Sequence, residues 1–576
     1  LDGLAKDGVR FAQAFTPSPI TNTSHASILT GLLPGSHGVT DFAVPLANSH
    51  PTVAELLKAR GYHTAAFIGA VILDSKTLAP GFDRGFDFYD NFPEHSSTKS
   101  RWGRLERRGM DVVAHAEGWL TKHPAGPHFV WVHLYDPHDP YEPPVPFSQT
   151  YKDHLYDGEI AYADSALAHF IAYLKATSRY RNSVIVAVGD HGEGLGEHHE
   201  DTHGIFLYDS TTHVPLIVKL PGAEGAGTTV GAQVRTVDIV PTLLDVAGAA
   251  APGKSDGESL QGYFSGKEDG VDRPAIGETD YPLRFGWAPL RSVRDDGYKF
   301  IESPRPELYD LRRDPNELSN QYEAGNARVQ KSRAMLAEVR SREAPVDTSQ
   351  PAAQPDANRS TSSLPDPKDK IEEQNLLHAA MMASEDDRPA EARKALESVL
   401  ALDPRSPTAL RQLGELELQA GDYAQAAQHL KSAVAVRPDD ATASFYAGQA
   451  LLKARDLAGA RDALETSLKL LPGQFQARLL LGQVYLDLKD PKAAEDQFEA
   501  ALLVQSDSVE AQLGLAKAQI ANGNFADAAQ SLEALSKTHP KSPEVFNSLA
   551  IAYSGMGKSA EAQQAEAKAK LLGGKK

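Results

Sequence analysis

The pattern of apolar and polar positions changes character near residue 343. Before that point, short β-branched apolar runs such as Phe129–His133, Val184–Val188 and Val214–Val218 alternate with stretches of helical period such as Pro51–Arg60 and Ala161–Lys175. That alternation predicts an α/β domain with a central, mostly parallel sheet and helices on both faces. The first ten residues, Leu1–Arg10, read as a helix. The stretch Ala344–Asp369 is rich in Pro, Ser, Gln and Asp, offers little to bury, and reads as a flexible linker. From about residue 373 every segment has helical period and is rich in Ala and Leu.

The helical half repeats. Small residues fall 34 apart at Gly414, Gly448, Gly482, Ala516 and Ala550. A second series of alanines, Ala392, Ala426, Ala460, Ala494, Ala528 and Ala562, keeps the same spacing. Prolines follow it at Pro404, Pro438, Pro472 and Pro540, with Ser506 in the remaining slot. Small side chains let two helices approach closely, and Pro ends the second helix of each pair. The period and its small-residue slots resemble the tetratricopeptide repeat (TPR). The expected organisation is one α/β domain over 1–325, a terminal helix and linker over 326–372, and about six repeats over 373–573. Stacked repeats imply an all-α solenoid whose concave face takes a protein or peptide partner.

Composition narrows the function classes. With 576 residues, 41% of them hydrophobic and 23% charged, the chain has the makeup of globular protein in several domains. A net charge of −19 and the lack of a Lys/Arg stripe argue against a nucleic-acid surface. The absence of cysteine removes disulfides, thiolate zinc sites and thiol nucleophiles. No apolar run reaches the length of a transmembrane helix. The chain opens on Leu1 rather than Met, inside a helical stretch, so upstream sequence is expected and targeting is not legible.

Three segments carry candidate chemistry. In residues 17–38 a polar turn precedes a short helix, with Thr21 at its start. A hydroxyl there faces unpaired N–H groups and the positive helix end, which favour an anionic ester. The plainer alternative is an N-cap. In residues 182–199 an apolar strand, read as buried, ends in Asp190-His191-Gly192 and a Gly-rich loop. A carboxylate and an imidazole at a strand C-terminus can ligate one divalent cation; the alternative is a turn with a capping Asp. In residues 129–144 another strand ends in His133, Asp136, His138 and Asp139, and His138 could protonate a leaving group or be structural.

Together these segments resemble the sulfatase-like branch of the alkaline phosphatase superfamily. Residues 1–11 look like the helix after the family's first metal-binding strand, and Thr21–Gly31 matches the nucleophile segment. Asp136-Pro137-His138 matches an Asp-Pro-His turn, Asp190-His191-Gly192 the metal-binding pair, and His203-Gly204 the place of a substrate-binding cation. Residues 237–248 match a late helix and 307–317 the C-terminal hairpin, so the resemblance covers about 1–325.

The sequence departs from the family pattern at two places. The paired acids of the family's first strand have no counterpart, because residue 1 aligns after that strand. Family sulfatases also use formylglycine made from Cys or Ser in a Cys/Ser-x-Pro-x-Arg motif. Here Thr21 takes the nucleophile slot, Thr23 the Pro slot and His25 the Arg slot. Threonine cannot give that aldehyde, and members with Thr there are similar to phosphodiesterases, phosphatases and phosphoethanolamine or glycerophosphate transferases.

The resemblance implies a metal-dependent hydrolase or transferase of phosphate mono- or diesters. Thr21 is its nucleophile, and Thr21, Asp190 and His191 are its metal ligands. His25 orients the nucleophile loop, while His138 and His203 hold substrate oxygens and protonate the leaving group. One divalent ion (Zn, Mn, Mg or Ca) is expected over two, because no Asp-x-x-x-His motif follows in the right place. A sulfatase working without formylglycine, and an inactive scaffold acting through its repeats, remain open. The substrate is a small-molecule or envelope-associated ester, and related bacterial enzymes suggest an extracytoplasmic or envelope location. All substrate-facing candidates lie within 21–203, so the chemistry is not expected to need anything beyond the linker.

Overall fold

A computed structural model describes residues 1–93, 102–250, 253–265, 270–342 and 364–573. Two compact units divide them. The first is Leu1–His378 with Glu385–Asp387, and the second is Ala379–Ser384 with the chain from Arg388 onward.

In the first unit the expected opening helix stops early. Asp2–Lys6 is helical, and the chain then turns into strand β1, Val9–Phe15. Gly8 lies against the neighbouring strand so closely that a Cβ would meet the Val218 carbonyl at 2.8 Å. From Val9 the burial alternates with Val9 and Phe11 inside and Arg10 outside, which is strand period.

The remaining strands are β2 (His63–Phe67), β3 (Phe88–Asp90), β4 (His128–Val132), β5 (Ile185–Val188), β6 (His213–Lys219), β7 (Thr228–Arg235), β8 (Ala275–Thr279), β9 (Leu290–Asp295), β10 (Tyr298–Glu302) and β11 (Glu307–Asp310). They form sheets of order β5-β6-β1-β7, β3-β2-β4 and β11-β10-β9-β8. The expectation of mostly parallel pairing holds for β1/β7, β2/β3 and β2/β4. It does not hold for β6, antiparallel to both β5 and β1, so the first sheet is mixed. The last sheet is an antiparallel meander. Strand β5, read as buried, is only partly buried and lies at the edge of its sheet.

Helix Thr21–Thr30 is almost wholly buried, and Gly31 ends it in the left-handed region at φ 72°. Ala26 and Leu29 pack with Val53, Leu57, Ile68 and Leu244. Helix Ala327–Arg340 lays Val329 and Leu336 against Val293 and Phe300.

Residues 344–363 of the expected linker lie outside the described residues. Residues 364–369 do not behave as linker. The Pro365 carbonyl accepts from the Ala288 N–H at 2.9 Å, Asp366 accepts from the Arg305 N–H at 2.9 Å, and Lys368 pairs with Glu307 at 3.1 Å. Helix Ile371–Glu385 follows, with Ile371 packed among Ile205, Phe206, Tyr208 and Tyr309. The boundary expected between 372 and 373 therefore falls inside this helix, because its first turns bury apolar surface in the first unit.

In the second unit, paired helices start at Pro407, Ala441, Phe475, Val509 and Pro543, and at Pro389, Tyr423, Leu457, Pro491, Phe525 and Ser559, each series 34 apart. The small slots mark close helix contacts. A Cβ on Gly414, Gly448 or Gly482 would meet Leu430, Leu464 or Phe498 at 2.6, 2.5 or 2.7 Å. No helix among the described residues is long and apolar enough to cross a membrane.

Candidate active site

Four segments converge at the N-terminus of helix Thr21–Thr30. Thr21 is the first residue of that helix and is 5% exposed. Its hydroxyl lies 3.1 Å from Nε2 of His191. The His191 Nδ1–H donates to the Gly192 carbonyl at 2.9 Å, so in the neutral ring Nε2 presents its lone pair to Thr21. Asp190 follows the short β5 strand, and its Oδ2 stands 3.4 Å from His191 Nε2 and 3.4 Å from His25 Nδ1. Ser24 donates to the Asp190 carbonyl at 2.6 Å, tying the helix to this loop.

His25 sits one turn along, where its Nδ1 reaches the Thr21 carbonyl at 2.8 Å. The ring packs between Trp131, with centroids 5.3 Å apart, and His133, at 5.0 Å. Asn22 donates to the carbonyls of Ile72 and Leu78 and so anchors the same helix turn.

His203 and His138 close the other side. The ring centroids of His191 and His203 are 4.2 Å apart, and those of His203 and His138 5.1 Å apart. Glu193 Oε1 meets His203 Nδ1 at 3.0 Å. His138 Nδ1 donates to the Asp139 carbonyl at 2.6 Å, which leaves Nε2 for other partners. The six residues singled out from the sequence, Thr21, His25, His138, Asp190, His191 and His203, thus form one continuous cluster. Asp136 belongs to its support, accepting from the Gly109 N–H at 2.9 Å.

Burial sets the electrostatics. It pushes His133 and His138 down to about 3, aided by His25 and His203 respectively, and lowers His25 and His203 as well. Burial drives Asp190 upward, but His191, His25, His133 and His203 outweigh it and hold the carboxyl below its ordinary range. Glu193 is pushed by burial up to about 8.

Glu193, Glu159 and His133 escaped the sequence reading of roles. Glu159 accepts from the N–H groups of His138 and Glu142, at 3.0 and 2.8 Å, and fixes the turn carrying His138. It lies on helix Leu155–Ala176 and has no local motif. Glu193 stands two residues after His191 inside a quoted motif, and that adjacency was its only signal.

The donor set suits a divalent ion in kind. A carboxylate oxygen and a hydroxyl lie 3.4 and 3.1 Å from the same imidazole nitrogen, all hard or borderline donors. Among the described residues no group of three or more His, Asp or Glu is arranged to hold an ion. Asp190, His191 and Thr21 therefore form part of a shell rather than a closed cage.

A family model described as Sulfatase matches residues 1–249. This region is a sulfatase domain. A second model, N-sulphoglucosamine sulphohydrolase, C-terminal, matches 196–342, and tetratricopeptide repeat models match within 380–552. The chain thus joins a hydrolase domain of the sulfatase/alkaline phosphatase superfamily, whose members use divalent metal, to C-terminal TPR repeats. The sulfatase domain is similar to the uncharacterized sulfatase YidJ of Escherichia coli, 26% identical over 387 residues that span 56% of this chain and 77% of that protein. It is similar to the delta 4,5-hexuronate-2-O-sulfatase of Bacteroides thetaiotaomicron, 25% identical over 391 residues spanning 56% and 78%. Its fold matches the phosphonate monoester hydrolase of Agrobacterium radiobacter with a TM-score of 0.50 at 22% identity, covering 60% of this chain and 90% of that one. Most named relatives are sulfatases, so the preference for phosphorus esters has no support from their names.

Proposed function

We propose that the sulfatase domain hydrolyses phosphorus esters through Thr21. The observation that carries this reading is the Thr21 hydroxyl, at a helix N-terminus and 3.1 Å from His191 Nε2, in a chain without cysteine. Formylglycine is an aldehyde, and oxidation of a threonine side chain gives a ketone instead. A hydroxyl nucleophile suits phosphorus, where a phosphothreonine can be attacked again at P. A relative named multifunctional alkaline phosphatase superfamily protein PehA, 24% identical over 439 residues, fits the same reading.

In the reaction, Thr21 Oγ gives up its proton to solvent as it attacks phosphorus in line, and the bond to the leaving oxygen breaks. His25 holds the Thr21 carbonyl and keeps the hydroxyl aimed. The leaving alkoxide takes its proton from His203, which Glu193 backs through Nδ1. His138 Nε2 contributes to holding the non-bridging oxygens. Water then attacks phosphorus and returns a proton to His203, and Thr21 takes a proton from solvent as it leaves. A divalent ion held by Asp190 and His191 would supply charge neutralisation and a lowered hydroxyl pKa. The repeats bind a protein or peptide partner on their concave face.

Trapping tests the assignment. Acid quenching during turnover of an aryl phosphate, followed by peptide mapping, is expected to place a phosphoryl group on Thr21. Label on another residue, or none during steady turnover, would overturn it.

A further inference from the structure

The site draws on residues between the matched regions. The sulfatase models end at residue 342 and the repeat models begin at 380, yet residues 371–378 belong to the same compact unit as the active site. Three contacts tie this helix to the two loops that carry His138 and His203. His378 Nε2 meets Asp139 Oδ2 at 2.8 Å, and the Asp139 carbonyl is the group that holds His138 Nδ1. Asn375 donates to the His199 carbonyl at 2.9 Å and accepts from the Asp201 N–H at 3.4 Å, spanning the turn before His203. Ile371 anchors the helix in the core formed by Ile205, Phe206 and Tyr208, just after His203. His378 is also close enough to act electrostatically on both Glu193 and His203.

We infer that His378 and Asn375 are positioning residues of the ester site, and that helix Ile371–Glu385 clamps the His138 and His203 loops into working register. The two histidines sit on separate irregular loops, 136–142 and 199–204, and one short rigid element bridges them. Displacement of either ring by about 1 Å is enough to cost on the order of 10²-fold in rate. The sulfatase domain without this helix is therefore an incomplete site, contrary to the expectation that chemistry needs nothing beyond the linker.

The inference rests on His138 and His203 facing the substrate, and its test separates the two. Full-chain protein with divalent metal is assayed on an aryl phosphate diester and on an aryl sulfate, as wild type, His378→Ala, His378→Gln, Asn375→Ala, Asp139→Asn and His378→Ala/Asp139→Asn. On whichever ester the wild type prefers, His378→Ala is expected to lower kcat about 10- to 100-fold with KM changed less than about twofold. His378→Gln keeps an N–H donor and recovers most of that loss. The double variant is no worse than Asp139→Asn, since coupled residues do not add. Glu372→Gln, exposed on the same helix, leaves kcat unchanged. Preference for the sulfate would sink the phosphorus reading and leave this test intact. Wild-type kcat in His378→Ala and Asn375→Ala, or losses that multiply with Asp139→Asn, would overturn the clamp. Hydrogen exchange decides it independently of turnover. Exchange in 136–142 and 199–205 must rise in both His378→Ala and Asn375→Ala, and unchanged exchange in either loop contradicts the inference.

Discussion

The reactivity proposed for Thr21 rests on where it sits rather than on what it is. A threonine on an open surface is inert, but this one opens a buried helix with the His191 lone pair in front of it and His25 on its own carbonyl. Thr21→Ala removes the attacking oxygen and leaves the helix intact, since no side-chain cap is lost. The loss of kcat is expected to be about three powers of ten or more, with an unchanged circular dichroism spectrum. A fall of less than about tenfold would point to another nucleophile. The buried carboxyls give a second, independent check. Burial raises Glu200 to about 8 from an ordinary 4.5, although it accepts from the N–H groups of Ile205 and Phe206. The folded state then binds a proton that the unfolded state has released. This contribution to stability is complete below pH 4.5 and is lost as pH rises toward about 8. Glu200→Gln keeps the accepting carbonyl and removes the titration. Its Tm is expected to fall less than that of wild type between pH 5 and pH 8, and a slope equal to wild type would contradict the assignment.

At the scale of elements, the repeats are the most legible part of the chain because their spacing has a direct packing cause. Gly448 faces Leu464, Gly414 faces Leu430 and Gly482 faces Phe498, each with no room for a side chain. Gly448→Leu overpacks this contact and is expected to cost about 1–3 kcal/mol. Calorimetry should show the transition of the repeat unit moving down while that of the sulfatase domain holds. No shift would mean the helices part freely. The candidate site residues also had sequence signals: Thr21 opens a helix, Asp190-His191 follows β5 and His138 follows β4, while His203 was placed by the family pattern alone. What escaped has a common reason. The opening strand Val9–Phe15 follows a true helix within three residues, and Gly8 marks the switch only through its contact with β6. The antiparallel course of β6 depends on tertiary connections that no local pattern records. His378 sits in an Ala/Leu-rich helix whose period says repeat, and its contact to Asp139 spans 239 positions of sequence.

For the whole molecule, two compact units share one chain, and the first contains the candidate site. The sulfatase match over residues 1–249 supports a hydrolase domain of a superfamily whose members use divalent metal. Treatment with a chelator is expected to abolish turnover, and excess metal to restore it, while the repeat unit keeps its helical signal throughout. Full activity in chelator would remove the metal from the account. Under the proposed reading the choice of element, phosphorus or sulfur, turns on Thr21, and a direct competition decides it. The measurement is kcat/KM of the full chain with divalent metal on an aryl phosphate diester and on the corresponding aryl sulfate. A hydroxyl nucleophile at Thr21 predicts a higher value for the phosphate diester, lost in Thr21→Ala. A sulfate value far above the phosphate value, retained or not in that variant, would contradict the central claim.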